Sequence, residues 1–196
     1  TAPYFASHEV LGGERRTIHL GIDLFAPAGT PVHAPLDGVV HAFADNAVPQ
    51  DYGPVIIIRH TADDGAEFYS LYGHLSRESP GGLQVGQRVA RGQRFAGLGD
   101  PTVNMDWTPH LHFQLITDLL ELGTDFPGVG APSQRDVWRS ASPDPNLLLR
   151  ISSLRQEQSS SAAERLTARR ERLGHNLSLA YREPLTIARG WRQYLY

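Results

Sequence analysis

From about residue 17 to residue 116 the chain is cut into short runs in which apolar and polar residues alternate, separated by glycine and proline. That rhythm points to antiparallel β structure, because alternation turns one set of side chains toward a core and the other away from it. Strands are predicted over 18–24, 37–43, 54–60, 66–75 and 110–116. Turns are predicted at Pro27-Ala28-Gly29, Asp64-Gly65 and Pro80-Gly81-Gly82, where proline or glycine supplies the special backbone angles. Residues 117–146, rich in Gly, Pro and Asp, read as a long irregular surface stretch, and "SPDPNLLL" at 142–149 closes the domain. From Ser152 the Ala, Glu, Arg and Leu content of "SLRQEQSSSAAERLTARRERLG" favours a solvated helix, with Gly174 as its stop. The expected fold is mainly β: an antiparallel sheet or sandwich over residues 1–149, followed by a helical tail over 150–196.

A chain of 196 residues with 40% hydrophobic content suffices for one well-buried domain and a tail. The formal net charge of -3 implies no charge-driven partner, so neither nucleic acid nor an anionic membrane is expected. With no cysteine, any zinc must be bound through nitrogen and oxygen. The 18 basic residues are all arginine. The absence of lysine excludes a Schiff base, a P-loop and a lipoyl- or biotinyl-bearing arm, which sets aside the carrier-domain reading that "VHAPLDGVV" and "VGQRVARGQ" invite. No run of about 18 apolar residues and no secretory signal pattern is present. The chain begins at Thr1 and stops at Tyr196, and it is expected to be a piece of something longer.

Three segments carry chemistry. In "HLGIDL" at 19–24, strand alternation puts His19, Gly21 and Asp23 on one face, with the glycine leaving room for a metal ion between imidazole and carboxylate. In "HLHFQL" at 110–115, His110, His112 and Gln114 line one face; such a pair of histidines is either a metal site or two satisfied surface groups. In "YSLYGHL" at 69–75, Tyr72 and His74 are expected on one face, and a lone histidine there is more often structural. Together they offer one carboxylate and several imidazoles, which suits a catalytic zinc with three protein ligands and one open position. Four imidazole ligands would close the tetrahedron, so some of these histidines belong beside the metal as acid-base groups.

In that order, His-x3-Asp, Tyr-x-His-Leu and His-x-His resemble the signature of lysostaphin/LytM-type zinc metallopeptidases, which are peptidoglycan endopeptidase-like. "GTPVHAPLDGVV" at 29–40, "VIIIRH" at 55–60 and "VGQRVARGQRFAGLGD" at 85–100 resemble the family's scaffold, so the likeness covers about residues 15–149. It implies that His19, Asp23 and His112 hold zinc, while His74 and His110 are the two catalytic, non-ligand histidines. It also implies hydrolysis by a zinc-activated water, in short Gly- or Ala-containing or peptidoglycan-type peptides. His8, His33, His41, His60 and His175 read as surface or scaffold groups, with His60 where the family commonly has a structural histidine.

This chain departs from the family in the loop before His-x-His, "GDPTVNMDWTP", which is bulkier than the usual Gly-, Ser- and Thr-rich one, and in Gln114, where glutamate is usual. The loop bears on specificity. The alternative function is a non-catalytic zinc-containing module that binds a peptide or regulates an attached enzyme. The tail "RRERLGHNLSLAYREPLTIARGWRQYLY" resembles the truncated start of a class III pyridoxal-phosphate aminotransferase, which implies a fused aminotransferase domain in the parent protein. Such a partner implies a cytoplasmic location, whereas the peptidase family implies the cell envelope.

Overall fold

Val55-Ile56-Ile57-Ile58 is apolar at four consecutive positions, so in a strand it needs cover on both faces of its sheet. The computed structural model, which describes residues 14–47, 51–104 and 106–152, provides that cover. Its strands are β1 (Ile18–His19), β2 (Ile22–Phe25), β3 (Pro31–His33), β4 (Gly38–Asn46) and β5 (Gly53–Thr61), then β6 (Glu67–Gly73), β7 (Arg88–Val89), β8 (Arg94–Gly97), β9 (His110–Ile116) and β10 (Val129–Gly130). Two short helices follow, α1 (Arg135–Ala141) and α2 (Asn146–Leu149). Six strands form one antiparallel sheet in the order β2-β9-β6-β5-β4-β7, and β1-β10 and β3-β8 form separate pairs. The mainly antiparallel β architecture expected from the alternation is what the chain adopts.

Ile56 and Ile58 of β5 face a cluster with Tyr72, Phe113 and Leu115, closed by Val32, Phe95 and Ala96 of the β3-β8 pair. Val55 and Ile57 face the opposite side, with Leu71, Ile116, Tyr52, Phe126 and Ala141. Fully burying a side chain of this kind contributes about 1.5–3 kcal/mol, and β5 does so in both directions. These elements belong to a unit spanning residues 9–149. Among the described residues no helix is long and apolar enough to cross a membrane.

Three local expectations need correction. The strand expected over 18–24 breaks at Leu20-Gly21, because its two halves have different partners: β1 pairs with β10 and β2 with β9. The strand expected over 66–75 ends at Gly73, since His74 turns to a positive φ of 60°. The stretch 117–146 is no mere surface loop: Phe126, Val129, Ala131 and Ala141 are buried, and β10 and α1 lie within it. Scattered apolar residues carry no periodic signal, yet two of these, Phe126 and Ala141, pack on the second face of the sheet. The helical tail and the aminotransferase-like segment expected over 153–196 lie outside the described residues, as do His8 and His175.

Candidate metal centre

Strand β9 runs between β2 and β6, and its register sets His112 opposite Asp23 on one side and opposite Gly73 on the other. His19 reaches the same place from β1, across the break at Gly21. His19 Nε2 lies 3.1 Å from His112 Nδ1 and 3.3 Å from Asp23 Oδ1, and His112 Nδ1 lies 3.4 Å from Asp23 Oδ1. A tetrahedral zinc with bonds of roughly 2.0–2.1 Å needs ligand atoms about 3.3 Å apart, so the three atoms have the spacing of one tetrahedral face. Asp23 Oδ1 is buried and without a hydrogen-bond partner of ordinary geometry, as an atom reserved for a cation would be. Burial works to raise the Asp23 pKa, but the imidazoles of His112 and His19 outweigh it and hold the carboxyl well below its usual range. The donor set of two imidazoles and a carboxylate fits zinc. His112 is buried and His19 exposed, so the trio opens toward solvent on the His19 side.

The glycine between His19 and Asp23 does not leave room for an ion, as the alternation suggests. A Cβ at Gly21 would lie 2.6 Å from His112 Nε2, so the space is filled by the His112 ring itself.

His74 and His110 are buried beside this trio, with ring centroids 4.5 Å apart, and His74 is 6.4 Å from the His112 ring. The expectation that Tyr72 and His74 share a face is overturned: Tyr72 sits in the core with Phe113 and Phe95, and the positive φ of His74 swings its ring to the opposite side. That turn is held by backbone bonds, from His74 N–H to the Tyr52 carbonyl at 2.8 Å and from Gly99 N–H to the His74 carbonyl at 3.0 Å. Buried Asn104 adds a third, its Nδ2 donating to the His74 carbonyl at 3.3 Å. Burial, reinforced by the charges of His110 and His112, pushes the His74 pKa down to about 3, against smaller opposing effects of Asp23 and Asn104. His74 is therefore neutral near pH 7. His110 donates from Nδ1 to the Thr108 carbonyl at 2.7 Å, which leaves Nε2 with its lone pair. Trp107 stands edge-on to His74 at 5.6 Å, and Phe25, 68% exposed, lies 5.2 Å from His110.

His60 is a scaffold group as expected: it is buried, with Nδ1 donating to the Asp37 carbonyl at 2.7 Å and Nε2 lying 2.7 Å from Ser70 Oγ. His33 is exposed, and His41 is half-buried against Tyr69. Sequence reasoning missed Tyr52 and Asn104. Tyr52 is buried, its ring 5.1 Å from that of His112, and its hydroxyl donates to the Phe126 carbonyl at 2.9 Å. The one available hint was Gly73: a Cβ there would lie 2.7 Å from the Tyr52 ring.

The sequence model of peptidase family M23 matches residues 17–122. An uncharacterized metalloprotease of Haemophilus influenzae is 36% identical over 107 residues, covering 55% of this chain and 20% of that protein. The peptidoglycan DD-endopeptidase ShyC of Vibrio cholerae is 34% identical over 100 residues, covering 51% of this chain and 20% of its own length. The chain thus spans about a fifth of the length of these relatives. Among solved structures, the catalytic domain of lysostaphin from Staphylococcus simulans is 26% identical, with a TM-score of 0.42, covering 65% of this chain and 83% of that one.

Proposed function

Because the chain belongs to peptidase family M23, we propose that it is a zinc endopeptidase in which His19, Asp23 and His112 hold the metal while His74 and His110 handle protons and stabilise the oxyanion. The observation that carries this reading is the convergence of three ligand atoms at 3.1–3.4 Å beside two imidazoles free of that trio. Bound there, zinc supplies Lewis acidity toward a peptide carbonyl and makes water a nucleophile near neutral pH. His74, neutral and buried, is placed to donate an imidazole N–H to the developing oxyanion. His110, its Nδ1 donating to the Thr108 carbonyl, offers the Nε2 lone pair to take a proton from the attacking water and pass it on to the leaving amine. Trp107 and Phe25 border the His74 and His110 rings, shield them from bulk water and offer aromatic surface to a bound peptide.

For substrate we propose short Gly- or Ala-containing peptides of the peptidoglycan type, a reading supported by the family and by relatives such as ShyC, a peptidoglycan DD-endopeptidase. The test is hydrolysis of peptidoglycan fragments and Gly-rich cross-link peptides by zinc-loaded protein, beside His74→Ala and His110→Ala. Cleavage lost in both variants at unchanged zinc content supports the peptidase. Stoichiometric zinc with binding of these peptides but no cleavage would replace it by the non-catalytic binding module.

A further inference from the structure

Gln114 lies two residues beyond His112 in β9, on the same face, and is fully buried. One end of its carboxamide is 2.9 Å from His112 Nε2; the other is 2.9 Å from Ser142 Oγ and 3.3 Å from the Pro127 carbonyl. A carboxamide can be built either way round, and the neighbours decide which is right. The Pro127 carbonyl can only accept, so the NH2 group must be at that end. Oε1 then faces His112, and since an amide oxygen accepts, His112 Nε2 must carry the proton. A neutral imidazole has one N–H, so its lone pair is on Nδ1. That is the atom 3.1 Å from His19 Nε2 and 3.4 Å from Asp23 Oδ1.

We propose that Gln114 is a positioning residue of the metal centre: anchored by Pro127 and Ser142, it fixes the tautomer and ring plane of His112 so that Nδ1 is presented as a ligand. The rest of the ring is held by Tyr52 on one side and by the close approach to Gly21 on another. The segment 126–142, which has no side chain among the ligands, thereby sets the chemistry of one of them. A carboxylate at position 114 would still accept from His112 but would turn a second oxygen toward the Pro127 carbonyl, so the amide is the group that satisfies both neighbours.

The proposal rests on His112 being a ligand, but its first test does not. In the metal-free chain with 15N-labelled histidine, two-bond 1H–15N spectra should show His112 as the Nε2–H tautomer. Gln114→Leu should lose that tautomer or mix it with the other, and weaken zinc binding about 10- to 100-fold in a chelator competition. Gln114→Glu should retain the tautomer and most of the affinity. If the leucine variant does not fold, Ser142→Ala takes its place, with partial loss of the tautomer. A His112 that carries its proton on Nδ1 in the parent chain overturns the proposal, as does a Gln114→Leu protein with unchanged tautomer and unchanged affinity. A parent chain that shows the Nε2–H tautomer yet binds no zinc overturns the metal reading instead, and with it the ligand role given to His112.

Discussion

The His112 imidazole occupies the space that a side chain at Gly21 would need: a Cβ there would stand 2.6 Å from Nε2, 2.7 Å from Cε1 and 2.8 Å from the Phe113 carbonyl oxygen. The ring could swing aside only by leaving the trio, and the carbonyl belongs to the β2-β9 ladder and cannot give. Gly21→Ala should therefore weaken zinc binding at least about 10-fold and cost about 1–3 kcal/mol of stability. Chelator competition and urea unfolding check this. Unchanged values for both would mean that the ring is not confined as the structure has it.

The two non-ligand histidines should behave differently from the trio. His74→Ala and His110→Ala should each keep about one zinc per chain and lose about 100- to 10,000-fold in kcat, as oxyanion donors and general acid-base groups do. Metal analysis alongside single-turnover assays separates the two effects. Loss of zinc in His74→Ala would place that residue among the ligands.

Asn104 holds the turn at His74 through hydrogen bonds from Nδ2 to the His74 and Asp100 carbonyls, the latter at 3.2 Å. Asn104→Ala removes both of these bonds while the carbonyls keep their backbone donors, Gly99 N–H and Val103 N–H, a loss of about 0.5–1.5 kcal/mol per bond. Because the bond to the His74 carbonyl fixes where the His74 ring points, kcat should fall while KM changes little. A variant that is less stable but fully active would restrict Asn104 to a scaffold role.

The site was legible where one strand carried the whole motif. His110, His112 and Gln114 fall on one face because β9 runs unbroken through all three. The same alternation misled at 19–23 and 69–75, where a strand ends inside the motif and the chain takes a new partner. His19 and Asp23 still meet, but across a break, and the glycine between them serves the ring of a third residue. His74 reaches the site by a left-handed turn whose bonds go to Tyr52, Gly99 and Asn104, all distant in sequence. No local pattern encodes such a turn. Phe126 and Ala141 were hidden for a related reason: they cover the second face of the sheet from a segment with no period of its own.

Away from the metal, His60 gives the fold a pH dependence. Burial lowers its pKa from 6.5, opposed in part by its bond to the Asp37 carbonyl. The unfolded chain therefore binds the extra proton first, so stability should be complete above about pH 6.5 and decline as pH falls toward the folded value. Urea unfolding at pH 8 and pH 5, with a chelator present, should show a smaller pH difference for His60→Gln than for the parent. Parallel behaviour of the two proteins would mean that His60 is not held neutral by the fold.

The most direct test of the account is elemental analysis of the purified chain beside a His19→Ala, Asp23→Ala double variant. The structure predicts about one zinc per chain in the parent and none in the variant, with both remaining folded. A parent that takes up no zinc even after reconstitution, or a variant that retains it, would contradict the assignment of His19, Asp23 and His112 as the metal site.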